Sequence, residues 1–77
     1  MHEVALTESI LDAIQARLGE ARVVRVKLAI GRQMAVMPDA MRFAFEACTL
    51  GTSLDGARLE IDETAGHELL IKEVEVA

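Results

Sequence analysis

Met1, His2 and Glu3 bring an α-amino group, an imidazole and a carboxylate together in three consecutive residues. Each is a metal donor once it has given up its proton, and neighbouring donors can close chelate rings around one ion. Terminal residues are ordinarily frayed and solvated, so a donor set this dense at such a position asks for a chemical explanation.

The other reactive side chains are isolated. His67 is the second of two histidines and sits in the short stretch TAGH; it reads as an exposed turn residue and, at most, a supplementary ligand. The single cysteine, Cys48, follows Met41 and Phe45 at helical spacing, which predicts a small buried hydrophobe rather than a nucleophile. Met34, Met37 and Met41 offer soft sulfur, but packing explains them more simply. Neither Ser9 nor Ser53 has a base to activate it, and the pairs Asp62/Glu63 and Glu73/Glu75 read as strand-surface charges. A binding protein is expected, not an enzyme.

Periodicity gives the elements that must position these residues. From Val4 to Leu18, Leu6, Ile10, Ile14 and Leu18 recur every fourth position with Leu11 and Ala13 beside them, while Glu8, Asp12 and Gln15 lie off the stripe. This predicts an amphipathic helix closed by Gly19. RVVRVKLAIG alternates, placing Val24, Val26, Leu28 and Ile30 on one strand face and Arg25 and Lys27 on the other. Pro38 suits the first turn of a second helix, with Asp39 at its positive end, a buried stripe of Met41, Ala44, Phe45 and Cys48, and Gly51 as its stop. Asp55 and Gly56 turn the chain into a second strand through Leu59 and Ile61. In HELLIKEVEV the parity of Leu69 and Ile71 differs from that of Val74 and Val76, which predicts a bulge near Lys72 or Glu73.

The fold expected is therefore α/β in the α+β sense, with two helices on one face of a small mixed three-stranded sheet. The crossover from the first to the second strand favours a parallel pair, and the short TAGH link an antiparallel hairpin of the last two strands. A hinge this short also invites exchange of the C-terminal strand, giving a strand-swapped homodimer at high concentration.

With 77 residues, 52% of them hydrophobic and two phenylalanines as the only aromatics, residues 1–77 read as one domain with a thin aliphatic core. A net charge of −5 and scattered basic residues argue against nucleic acid and anionic membrane as partners. There is no apolar run long enough to span a bilayer, and the His2-Glu3 start lacks the basic region of a secretory signal. Together with a lone cysteine, this predicts a cytoplasmic protein.

The order of motifs is more specific than the fold. MHE at the start, SIL in the first helix, V.L.IG in the first strand, P.A.RFAFE opening the second helix, then GT...GA.LEI and G.EL.IK..EV closely resemble the HypA/HybF family of nickel metallochaperones for nickel–iron hydrogenase maturation. The resemblance covers essentially the whole chain. It implies Ni(II) binding at the amino terminus, through Met1, His2 and Glu3, and delivery with a nickel-handling GTPase toward the hydrogenase large subunit.

The family resembled carries a separate zinc lobe with two CxxC pairs, at the place occupied here by the residues near 64–67. Cys48 with His67 cannot reproduce that thiolate cage, so the zinc lobe is expected to be absent and no structural zinc is expected. At the amino terminus, the Met1 amine, the His2 backbone nitrogen and the His2 imidazole can close successive rings around one ion. Nitrogen donors suit Ni(II) in tetragonal or square-planar geometry. Glu3 can complete the site through its backbone nitrogen or its carboxylate. His2 is too large for ready removal of the initiating methionine, which keeps Met1 in place. The alternative reading is a nickel-free docking or assembly module of the same fold.

Overall fold

The structure is a computed structural model that describes residues 2–77, with side chains from residue 3 onward. Its elements in chain order are α1 (His2–Leu18), β1 (Val23–Gly31), a single 3-10 turn (Arg32–Met34), α2 (Pro38–Thr49), β2 (Arg58–Thr64) and β3 (Leu69–Val76). The expected two helices and mixed three-stranded sheet are all present.

Helix α1 begins two residues earlier than its apolar period, so Glu3 falls in the first turn, where the positive end of the helix dipole favours a carboxylate. Ile10 and Ile14 enter the core and Leu6 and Leu11 pack against it. Leu18, expected on the buried stripe, is 37% exposed because the helix has by then run past the core. Gly19 ends the helix at φ +60 and donates its N–H to the Gln15 carbonyl at 2.8 Å.

The central strand is β1, with β2 parallel on one side and β3 antiparallel on the other. The expected hairpin between the last two strands is therefore not formed. After Thr64 the chain instead crosses the carboxyl end of β1 and descends on its far edge. About 10 Å separates two strands that flank a third; the four link residues, 65–68, are long enough to cover that gap when extended. The crossing is pinned to β1 and the turn after it: Gly31 N–H donates to the Glu68 carbonyl at 2.8 Å, and Gln33 N–H to the Gly66 carbonyl at 3.0 Å. A Cβ on Gly31 would lie 2.0 Å from the Gly66 oxygen, so only glycine fits under the crossing.

Two interruptions set which side chains face the helices. Lys27 pairs with Glu73 and Leu28 with Ile71, which leaves Lys72 as the extra residue of the expected bulge. A second shift leaves out Val24, between Val23 paired with Val76 and Arg25 paired with Glu75. This corrects the alternation predicted for β1: Val23 is 1% exposed and Val24 39%. Strict period two would bury Val24, and the bulge moves the inward position back by one residue.

Helix α2 starts at Pro38 and ends at Thr49, followed by Leu50 and by Gly51 at φ +77. Met41, Ala44 and Phe45 are buried as expected, but the stripe continues to Thr49 rather than Cys48, which is only half-buried. The i, i+4 row through Met41 and Phe45 reaches position 49, and the hydroxyl there is accommodated by donating to the Phe45 carbonyl at 2.8 Å. The core closes with Val23, Val26, Leu28, Ile30 and Leu54. Phe43, half of the aromatic complement, is 76% exposed on the outer face of α2.

Candidate metal centre

Met1 and the side chain of His2 lie outside the described residues. What is described is their mount. Because α1 begins at His2, the first backbone N–H groups have no acceptor within the helix. The amide nitrogens of His2 and Glu3 are thus free to lose their protons to a metal without breaking a helical hydrogen bond. Glu3 is half-buried in this first turn. A cation at the positive end of the helix dipole is opposed by only about 0.3–1 kcal/mol, and an anionic amide nitrogen or a carboxylate at that end works in the opposite sense.

The helix that carries these residues is fixed close behind them. Thr7, fully buried, donates its hydroxyl to the Met41 sulfur at 3.6 Å, tying the second turn of α1 to the first turn of α2. Pro38, which opens α2, shares a small cleft with Ile30 and Gly31 at the carboxyl end of β1. The amino end of α1, the amino end of α2 and the 65–68 crossing therefore gather at one end of the molecule. His67 lies in that crossing and is exposed, as expected of a turn residue.

Among the described residues, no three of His, Cys, Asp or Glu are placed to hold a metal ion. Cys48 lines a shallow surface groove with Glu8, Leu11 and Asp12, without forming such a set. Ser53 holds its hydroxyl enclosed and without a hydrogen-bond partner, and its carbonyl accepts from Val23 N–H at 3.0 Å. Met34 and Met41 pack in or against the core, whereas Met37 is exposed.

The densest carboxylate cluster is already committed to a cation. On the helix-free face of the sheet, Arg25 donates to Glu60 at 3.0 Å, Glu73 at 2.8 Å and Glu75 at 2.9 Å, and Lys27 approaches Asp62 at 3.6 Å. One guanidinium on the central strand thus ties both edge strands. Its hydrogen bond to Glu73, together with the nearby positive charges, holds that carboxyl below the usual carboxylate range. The same direction applies to Glu68, chiefly through the hydroxyl of Thr64 and then its own backbone N–H. The sequence alternation placed Arg25 and these acids on strand surfaces. It could not show that one arginine would serve three carboxylates, which depends on the strand order. Thr7 was missed for a similar reason, since a threonine within an amphipathic pattern gives no signal of its sulfur partner on another helix.

The architecture defines a small two-layer α+β domain with a donor-rich start mounted on its first helix. A family model described as hydrogenase/urease nickel incorporation, metallochaperone HypA, matches residues 1–69, and the chain belongs to the HypA family. It is 48% identical over 66 residues to a hydrogenase maturation factor HypA of Nostoc punctiforme, covering 86% of this chain and 58% of that protein. To the factor of the same description from Geobacter metallireducens it is 46% identical over 67 residues, covering 87% of this chain and 61% of that one. The chain thus spans about three fifths of the length of these relatives. The solution structure of the Ni metallochaperone HypA from Helicobacter pylori has the same fold, with a TM-score of 0.65 at 16% identity, over 100% of this chain and 94% of that one.

Proposed function

We propose that this chain is a nickel-binding metallochaperone domain. It holds Ni(II) as cargo through the Met1 α-amine, the His2 backbone nitrogen and the His2 imidazole, with Glu3 completing the site. The observation that carries this reading is the start of α1 at His2, which leaves the first amide nitrogens without helical acceptors beside the densest donor set of the sequence. Membership of a nickel-incorporation family supports the choice of metal, and so does the preference of Ni(II) for nitrogen donors.

On this reading the chain catalyses no reaction; it binds and releases an ion. A metal on the first residues of an anchored helix can be approached by an acceptor without opening the core. The partners are a nickel-handling GTPase and the large subunit of nickel–iron hydrogenase, and the compartment is the cytoplasm. Among the described residues, no helix is long and apolar enough to cross a membrane. On the same reading residues 1–77 are one nickel-binding domain without a zinc lobe near 64–67; the lone Cys48, which cannot supply a thiolate cage, supports this.

A second reading, a docking module that carries no nickel, draws on two exposed apolar side chains, Phe43 on α2 and Leu50 just past its end. Cells deprived of their own maturation factor separate the two. Supplied with this chain, they should recover nickel in the hydrogenase large subunit, and with His2→Ala they should not. Equal recovery with both would contradict delivery from the amino terminus.

A further inference from the structure

We propose that the free edge of β3 pairs antiparallel with the β3 edge of a second copy, joining two sheets into one of six strands. The occupant of this edge is a second copy because the bulge gives the strand a two-fold pattern. Leu69, Ile71, Val74 and Val76 pair with Ile30, Leu28, Val26 and Val23, all buried under the helices, so those four share the helix-bearing face. Leu70, Glu73 and Glu75 pair with Ala29, Lys27 and Arg25 on the other face.

Turned about an axis between residues 72 and 73, the strand matches itself. Leu69 meets Val76 of the other copy and Ile71 meets its Val74, all on the helix-bearing face; Leu70 meets its Glu75 on the opposite face. Without the bulge every one of these pairs would join opposite faces, because directly opposed residues of an antiparallel pair must point the same way. At the axis, Lys72 of each copy meets Glu73 of the other, so opposite charges face each other twice. Lys72 is exposed and enters no salt bridge among the described residues. A bulge ordinarily discourages edge pairing; here it falls on the axis and leaves 69–71 and 74–76 as unbroken halves.

The surface beside this edge supports the same occupant. Ile71 and Val76 are 37% and 46% exposed on the floor of an open, mainly apolar groove walled by Ala13, Arg17 and Leu18 of α1. An axis perpendicular to the sheet brings the two α1 helices toward each other over that floor and covers it from both sides.

Sedimentation equilibrium on the full chain, from micromolar to millimolar concentration, should show a monomer–dimer equilibrium that re-equilibrates promptly on dilution. Lys72→Glu places like charges at both axis contacts and should weaken the dimer at least about tenfold. Arg32→Glu, an equal change of charge away from β3, should leave it unchanged. An equimolar mixture of folded Lys72→Glu and Glu73→Lys chains restores both contacts and should form a mixed dimer where neither does alone. A native chain that stays monomeric at millimolar concentration, or a Lys72→Glu dimer as strong as the native one, would overturn the proposal. So would a dimer that persists for hours after dilution, the behaviour of an exchanged C-terminal strand.

Discussion

Arg25 shows what a single side chain can do on a central strand. Its neighbours in sequence, Val24 and Val26, mark it only as the polar half of an alternating pattern; its three carboxylate partners come from β2 and β3, up to fifty residues away. A pH dependence of stability follows. Glu73 has its folded-state value lowered below that of an unfolded chain, so its contribution is present above the ordinary carboxylate value, about 4.3, and is lost as pH falls through the folded one. Glu68 acts in the same sense through Thr64. Urea midpoints measured from neutral pH downward should therefore hold steady and then drop below about pH 4.3. Glu73→Gln should flatten part of that drop. A variant that retained the whole of it would show that the Arg25 contact does not set the acid limb.

At the scale of elements, most of the fold was legible in the sequence. Both helices, all three strands and the bulge at Lys72 follow from period and parity, because each element buries only one face. The misreadings share a cause. Val24 and Cys48 lie one residue from the buried positions, and local period cannot locate a bulge in β1 or decide between adjacent rows of α2. The TAGH link failed as a hairpin because its length fits either a turn or a crossing, and only the vacant edge of β1 decides. Gly31 is where that crossing can be tested. Gly31→Ala should cost about 1–3 kcal/mol, since the methyl meets backbone that cannot move aside cheaply. Amide exchange at Gln33, which donates to Gly66, should quicken in the same variant. Native stability and native protection would mean that the link does not cross as described.

As a whole molecule, this is a thin α+β domain whose helices cover one sheet face and whose first helix mounts the proposed metal donors. The candidate site was legible because its donors are consecutive, while the helix start that frees their amide nitrogens was not, since the apolar period begins only at Val4. Without a thiolate cage, the purified chain should contain no stoichiometric zinc by elemental analysis; one zinc per chain that survives both His67→Ala and Cys48→Ala would contradict this ligand accounting. The central claim is nickel at the amino terminus, and the measurement is a calorimetric nickel titration of protein with its native start, at several pH values. An α-amine titrates near about 7.7–8.0 and a histidine near about 6.5, so affinity should fall as pH drops from alkaline to mildly acidic. The native chain should bind one nickel. Extending the chain before Met1 removes the amine and His2→Ala removes the imidazole, and each should sharply reduce binding with the far-ultraviolet spectrum unchanged, whereas Glu3→Ala should have a smaller effect. Equal affinity and stoichiometry in the native, extended and His2→Ala proteins, all folded, would contradict the account.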